Sequence, residues 1–360
     1  MATGNNTPAG ERPDHPQLPR WLRRTHPAAW LVVLFLLFLP AFSNSFVQVQ
    51  IFGWSFILGM IALSLMFLAG YGGMVSLVQM SVAGCAGYMA AIFGDSAMAT
   101  ISLSWPWWLS LPVALLIAVA FGTLSGALAV RTEGIYTIMI ALAIAAAFFY
   151  FTRQNYVIFN GFSGFNKLAP PHVFGIDWRQ HTAFYYLCLF FAALSCFVVL
   201  YVSRSPFGLA LQGVRDNPRR MAALGFNVTA HRIAAYAFAA VIAAFAGILL
   251  SWLNGQISPG TAGIGPVIDI LVIAVIGGLR HPIGPFIGAL TYVVLRTFAL
   301  DVLTDLGLDG SRFNLLVGIG FLAIVFGSPD GLLGLWDRWR SSDRWRRRGG
   351  GAPSPAGGDD

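Results

Sequence analysis

Long apolar runs alternate with short polar or glycine-rich breaks along nearly the whole chain. The runs fall at about residues 28–43, 47–69, 73–93, 106–130, 134–152, 182–203, 232–253, 264–279, 283–300 and 313–327. Many approach the ~20 apolar residues that a helix needs to cross the hydrocarbon layer of a bilayer. Lipid offers no partner for an unpaired peptide group, so runs of this kind predict helices that satisfy their own backbone hydrogen bonds. The pattern therefore predicts an all-α, polytopic helical membrane protein with about ten transmembrane spans. Several runs are short or rich in glycine, and these are the candidates for broken or re-entrant segments.

One break differs from the rest. Residues 204–227 carry four arginines (Arg204, Arg215, Arg219 and Arg220) and two prolines (Pro206 and Pro218) between two long apolar runs. This stretch is far longer than a tight turn. Its pattern predicts a short helix over Pro218–Leu224, with Gly225 as the C-terminal stop. A polar segment of this kind on a membrane protein suits another protein's grip; the plainer alternative is a solvated basic face against lipid headgroups.

Charge orients the runs. With the N-terminus inside and the spans alternating, the inside segments hold 17 of the 22 basic residues and the outside segments and their borders hold 5. The inner group includes Arg23, Arg24, Arg131, Arg215, Arg219, Arg220 and the tail cluster Arg338–Arg348, whereas Lys167 and Arg179 fall outside. The positive-inside rule thus predicts that both termini are cytoplasmic. The expected organisation is a polar tail at 1–27, a transmembrane domain at 28–328 with a cytoplasmic loop at 204–231, and a basic, then disordered, tail at 329–360. Tryptophans interleave with the tail arginines, which suits an anionic lipid surface better than nucleic acid. Composition agrees with the class. The chain is 57% hydrophobic and 10% charged with mean hydropathy +0.70, against about 25% charged residues in soluble domains.

Candidate chemistry is sparse. Cys85, Cys188 and Cys196 lie in apolar runs without a CxxC pair or a Cys/His cluster, so no metal site or disulfide framework is expected. Gly161-Phe162-Ser163-Gly164 matches the wording of rhomboid serine proteases, but the histidines fall in loops, tails or helix borders, so a glycine-rich external turn is the reading taken. No HExxH occurs. A P-loop needs Lys followed by Ser or Thr, and the only lysine is Lys167, followed by Leu168. No catalytic residue and no cofactor are expected, and any ATP that powers the protein must be bound by a separate subunit. The remaining signals are glycine clusters, Gly70, Gly72, Gly73, Gly84 and Gly87 in one segment and Gly277, Gly278, Gly284 and Gly288 in another. They suit close helix contact or broken helices beside a solute path.

In order and spacing these segments resemble the LivM-type permease subunits of branched-chain amino-acid ABC importers over about residues 50–335. The segment beginning Arg204-Ser205-Pro206-Phe207-Gly208 is similar to that family's coupling loop, R-S-P-F-G-R-A-L-x-A-I-R-(D/E)-N. Gly70-Tyr71-Gly72-Gly73-Met74-Val75-Ser76-Leu77 resembles G-Y-x-G-x-x-S-L, and Arg131-Thr132-Glu133-Gly134-Ile135-Tyr136 resembles R-x-x-G-x-Y. Ser258-Pro259 with Asp269-Ile270-Leu271 resembles S-P followed by E-I-L. Gly284-Pro285-Phe286-Ile287-Gly288-Ala289 matches G-P-x-x-G-A, and Gly327-Ser328-Pro329-Asp330-Gly331-Leu332 resembles the closing R-P-x-G-L. Departures stand at Gln79, Asp269 and Arg280.

The resemblance implies a permease subunit in a bacterial inner membrane. It would translocate branched-chain or related amino acids with a sister permease, two ATP-binding subunits and an external solute-binding protein. A permease of the same family for urea or another small polar solute, and a stand-alone secondary transporter, are the alternatives. The scarcity of ionisable residues within the spans favours external power. The resemblance implies ATPase coupling through Arg215, Asp216, Asn217, Ala222 and Gly225, with Asp269, Gln79 and Tyr136 as translocation-path candidates. Gly72, Gly73, Gly277, Gly278, Gly284 and Gly288 are the structural glycines. For Asp269 a local reading competes: Pro266 reads as the first helical residue, and the helix dipole would favour an acid in the next turn.

The topology is testable with single cysteines in a cysteine-free background. Cysteines at Arg24, Arg219 and Ser341 are expected to resist an impermeant thiol reagent in intact cells, and one at Lys167 to react. Labelling at Arg219 from outside overturns the orientation.

Overall fold

The computed structural model describes residues 27–94, 96, 101–132, 134–171, 178–279, 281–305 and 318. The apolar run at 313–327, both expected tails, and Glu133 and Arg280 lie outside or almost wholly outside these residues. The chain divides into two units, Met1–Asn44 and Ser45–Asp360. The described part of the first is helix α1 (Pro27–Phe42), on which Leu34, Phe35, Leu37 and Phe38 are exposed.

The second unit is helical. Its elements are α2 (Val47–Tyr71), α3 (Gln79–Phe93), α4 (Trp107–Ala129), α5 (Ile135–Gln154), α6 (Tyr156–Phe159), α7 (His181–Arg204), α8 (Pro206–Asp216), α9 (Pro218–Ala223), α10 (Val228–Asn254), α11 (Ile264–Gly277) and α12 (Gly284–Asp305). Five of these, α2, α4, α5, α7 and α10, are long and apolar enough to cross a membrane. The polytopic helical class expected from the runs is therefore found.

The run at 73–93 is not one span. Helix α3 begins only at Gln79, after a non-helical stretch at 72–78. Gly73 at φ +67° takes the chain out of α2, and the Met74 amide reaches back to the Leu68 carbonyl at 3.0 Å. With 15 residues α3 is about 22 Å long, and α11, with 14 residues, is about 21 Å. Both fall short of a hydrocarbon layer of about 30 Å, so the glycine-rich runs are the broken ones.

Helix α2 is at the centre. In its most apolar window 89% of the residues are buried, against 28% for α4, α5 and α7. A helix that is apolar all round belongs inside, whereas outer helices with exposed Leu116, Leu124, Met139, Phe190 and Phe197 suit lipid. Helices α10, α11 and α12 pack on α2, and α3, α4 and α10 pack against one another. α2 starts and ends in wide π-helical turns, Val47–Gly53 and Phe67–Tyr71.

Small residues set how closely these helices meet. A Cβ at Gly247 of α10 would lie 2.0 Å from the Ala83 carbonyl oxygen of α3. One at Gly288 of α12 would lie 2.2 Å from the Ile273 carbonyl of α11. Here backbone rests on backbone, the arrangement that lets helices associate in lipid without a hydrophobic driving force.

Among the described residues, the one departure from helix into sheet is a two-residue antiparallel pair, strands β1 (Phe165–Asn166) and β2 (Gln256–Ile257), with Phe165 opposite Ile257. It follows the Gly161–Gly164 turn. Gly164 sits at φ +61°, where a Cβ would lie 2.0 Å from the Ile257 carbonyl, so only glycine lets the two segments pair.

Helix propensity favours alanine over glycine by up to about 1 kcal/mol, whereas overpacking a tight seam costs about 1–3 kcal/mol. Gly247→Ala is therefore expected to lower the thermal stability of the detergent-purified protein. Gly265→Ala, which meets open space on α11, is not. Equal melting temperatures for the two variants would contradict the seam.

Candidate coupling surface and its connection to the helix core

The loop expected between the long runs is a folded, capped unit. Ser205 starts α8, its hydroxyl accepting from the Gly208 amide at 3.3 Å, with Pro206 as first residue. Asn217 starts α9 the same way, accepting from the Arg220 amide at 2.9 Å, with Pro218 first. Asn227 caps α10 by accepting from the Ala230 amide at 3.0 Å. Each cap satisfies an amide that the first helical turn leaves unpaired, and each proline sits where no amide is needed. The predicted stop is also found. Gly225 has φ +89°, its amide donates to the Ala222 carbonyl at 3.0 Å, and the Phe226 amide donates to Met221 at 3.1 Å, a Schellman closure.

The unit has an inner and an outer face. Gly208, Leu211 and Val214 of α8 are buried. The Gln212 amide donates to the Ser203 carbonyl at 3.0 Å and the Gly208 carbonyl at 3.2 Å, tying α8 back onto the last turn of α7. The His231 ring stacks on Phe207, with centroids 5.8 Å apart at 12°, and meets Phe226 edge-on. By contrast, α9 buries no side chain. Arg219, Arg220, Ala222 and Ala223 face outward beside Leu209, Leu224 and Phe226, of which Leu224 is 68% exposed. Basic and apolar side chains thus share one surface on a stiff frame.

The five residues expected to couple occupy different positions in the unit. Ala222 and Gly225 belong to the outer surface, and Asn217 caps α9. Arg215 turns inward. Its Nη1 donates to the Gly70 carbonyl at the end of α2, while Nε and Nη2 each lie 2.9 Å from Oδ1 of Asp216. Its stem fills the space beside Gly73, where a Cβ would lie 2.6 Å from Arg215 Cγ. On its other side, Gly70 leaves no room: a Cβ there would lie 2.3 Å from the Leu279 carbonyl, in the turn between α11 and α12. That turn holds Gly278 at φ +99° and Gly277, whose Cβ would lie 2.1 Å from the Gly284 carbonyl. The structural glycines thus converge on one end of the molecule, below α2.

The three path candidates lie apart. Gln79 is buried at the start of α3, with Oε1 3.2 Å from Ser64 Oγ of α2. Tyr136 is 68% exposed on α5. Asp269 is half-buried on α11; the Tyr292 hydroxyl bonds its carboxyl and the Arg296 guanidinium lies within electrostatic reach, both from α12. The helix starts at Ile264, because Gly263 is extended (φ −71°, ψ 171°), so Pro266 is its third residue and not its first. Asp269 is then beyond the first turn and is met by α12. Tyr292 and Arg296 are the partners that the sequence reading missed; their four-residue spacing on α12 is the signal that pointed to a shared face.

Two cavities mark the two ends of α10. One, of about 330 Å³, is lined by Gly73, Val75, Thr132, Thr137, Pro218 and Arg232, and the other, of about 370 Å³, by Trp105, Trp107, Lys167, Pro170, Ser251 and Trp252. Arg232 and Ser251 are about 29 Å apart along the helix axis, close to the thickness of a hydrocarbon layer. Among the described residues, no three His, Cys, Asp or Glu side chains gather as a metal site.

The chain belongs to the family described as branched-chain amino acid transport system / permease component, whose model matches residues 47–325. It is 25% identical over 288 residues to the high-affinity branched-chain amino acid transport system permease protein LivM of Salmonella typhimurium, covering 73% of this chain and 66% of that relative, just under two thirds of its length. It is 24% identical to the inner membrane ABC transporter permease protein YjfF of Escherichia coli, covering 84% of this chain and 89% of the relative. It is 23% identical to the ribose import permease protein RbsC of Haemophilus influenzae, covering 69% and 76%. No solved structure matches.

The contact of Asp269 with Tyr292 identifies it first as a tie between α11 and α12. Asp269→Asn keeps an acceptor for Tyr292 and is expected to leave complex yield and uptake near wild type. Asp269→Leu is expected to cost about 1 kcal/mol of stability. Loss of uptake by an assembled, stable Asp269→Asn protein would instead put the charge on the solute path.

Proposed function

We propose that this chain is the membrane-spanning permease subunit of an ABC importer in a bacterial inner membrane, translocating branched-chain or related amino acids. Power comes from two separate ATP-binding subunits, a sister permease completes the membrane part, and an external binding protein delivers the solute. Under the positive-inside assignment the termini, the 204–231 segment and the cavity beside Pro218 face the cytoplasm, and the cavity beside Lys167 faces out.

The observation that carries this reading is the outer face of α9. It has no buried side chain, yet both its ends are capped and its frame is tied to α7 and α10. A short helix gains little stability alone, so a segment built this firmly around an exposed mixed surface fits a load-bearing contact with another protein better than a loop that only meets headgroups. The chain has no lysine followed by Ser or Thr and so no P-loop of its own, which makes an ATPase the partner that fits. Transporters of ribose and fructose by name are also similar to this chain, and this favours a sugar as the second reading of the solute.

Co-expression with its neighbouring transport subunits is expected to yield one complex. Leu224→Asp on α9 is expected to leave membrane insertion intact, because exposed residues contribute little to stability, and to reduce recovery of the ATPase subunits about tenfold or more, the size of an interface hot spot. In vesicles, uptake of labelled leucine is expected to be competed by isoleucine and not by ribose. Competition by ribose alone would move the solute to the sugar class, and full ATPase recovery with Leu224→Asp would remove α9 from the interface.

A further inference from the structure

We propose that Arg215 is a positioning residue that transmits movement of the coupling surface into the helix core, and that it is not a contact with the ATPase. The proposal rests on the permease reading above and assigns a role within it.

The geometry begins with an unpaired carbonyl. Gly70 is the next-to-last residue of α2, so its carbonyl is one of those that the end of a helix leaves without an intrahelical donor. Arg215 supplies the donor, and its positive charge lies at the negative end of the helix dipole. The bond is charge-assisted and therefore stronger than a neutral one. Asp216 holds the guanidinium from the side by two contacts of 2.9 Å. Asp216 itself is 67% exposed, so the pair is anchored on its inner side only.

What Arg215 holds is the end of the most buried helix. Gly70 is pressed between this bond and the Leu279 backbone, and the Leu279 turn is packed backbone against backbone through Gly277 and Gly284. A displacement of α8 therefore reaches α2 through the Arg215 side chain and passes from Gly70 to the α11–α12 turn backbone against backbone. The outer surface lies immediately beyond: α8 ends at Asp216, Asn217 is the joint, and α9 follows. The give in this train is also visible. α2 ends in a π-helical turn, Phe67–Tyr71, a form that recurs at functional sites. The non-helical stretch at 72–78 then separates it from α3, so the end of α2 can shift without dragging α3 along.

Arg215 also suits this task better than docking. Its Nη1, Nη2 and Nε are engaged within the chain, and its stem packs on Gly73 at φ +67°. Arg215 keeps 40% of its side chain exposed, but with its donors committed this way it has little left for a partner, whereas Arg219 and Arg220 belong to α9, which buries no side chain.

The test uses the complete importer in proteoliposomes, with ATP hydrolysis and solute uptake measured on the same sample. Labelled leucine and labelled ribose are the probes. Arg215→Ala is expected to keep the ATPase subunits at wild-type stoichiometry and to keep basal hydrolysis, while uptake per ATP falls about tenfold, the scale of a coupling free energy between sites. Arg215→Lys, which retains the stem and one donor for Gly70, is expected to recover part of the ratio. Gly70→Ala, which must push Leu279 away, is expected to lower the same ratio, and the double variant Arg215→Ala/Gly70→Ala to be no worse than the poorer single one. Additive losses, or an unchanged ratio in Arg215→Ala, overturn the proposal. So does loss of the ATPase subunits from Arg215→Ala, which would make Arg215 a docking contact. A wild-type complex that hydrolyses ATP but moves neither probe refutes the solute classes named above, and the Arg215 variants are then read by whether binding-protein stimulation of hydrolysis disappears, as transmission requires, or persists, which overturns it.

Discussion

Lipid cannot hydrogen-bond a peptide group, and the rest of this architecture follows from that constraint. Each apolar segment must close its own backbone bonds, and the helices so formed have no hydrophobic reason to leave the lipid. They associate where backbones can approach closely enough for dispersion and shape to act. This chain meets the requirement with glycine and alanine at the contacts: Gly247 on Ala83, Gly122 on Ala240, Gly288 on Ile273. Glycine that lets helices meet also weakens a helix, and other glycines, Gly73 at φ +67° and Gly278 at φ +99°, stand where the chain leaves α2 and α11. Tight packing and broken helices here have one origin.

The two breaks meet. Gly70, at the end of α2 just before one break, and Leu279, in the other, touch through their backbones, with Arg215 of α8 on the far side of Gly70. An orphan carbonyl at a helix end normally takes water or a cap. Here the donor comes from an arginine 145 residues further along the chain. A surface segment is thereby attached to the centre by a directional bond, while its outer helix α9 stays free of burial. Stiffness is placed where load would pass and exposure where a partner would sit.

Much of this was legible in the sequence because the signals are local. Serine or asparagine before proline, at Ser205-Pro206 and Asn217-Pro218, with Gly225 at the far end, spells helix starts and a stop, and the structure contains them. Apolar run length gave the membrane class for the same reason. What was not legible depends on distant pairing. Nothing near Arg215 indicates that it turns toward Gly70, and nothing near Asp269 identifies Tyr292, because both contacts depend on how separate helices dock. Run length also misled at 73–93, where hydropathy cannot see that Gly73 adopts a positive φ and that the helix restarts only at Gln79. The grouping of Gln79, Tyr136 and Asp269 as one path came from resemblance, and in the folded chain they lie on separate helices with separate neighbours.

The electrostatics of the interior bears on the power source. An ion-coupled transporter places ionisable groups at mid-membrane, where protonation or ion binding can change the stability of one state against another. Within the described long helices the buried polar groups are Gln48, Ser55, Ser64, Ser110, Ser125, Thr137, Thr152, Ser203 and Ser251, alongside Gln79 and Ser81 on the short α3, all uncharged. Several of these hydroxyls are spent on their own helix, as Ser251 is on the Ile248 carbonyl at 2.7 Å and Thr152 on Phe149 at 3.0 Å. The charged exception, Asp269, is opposed by Arg296 and bonded by Tyr292 across α11 and α12. Such an interior fits a permease family powered by separate ATP-binding subunits, and the capped unit of α8 and α9 is the segment we propose to receive that work.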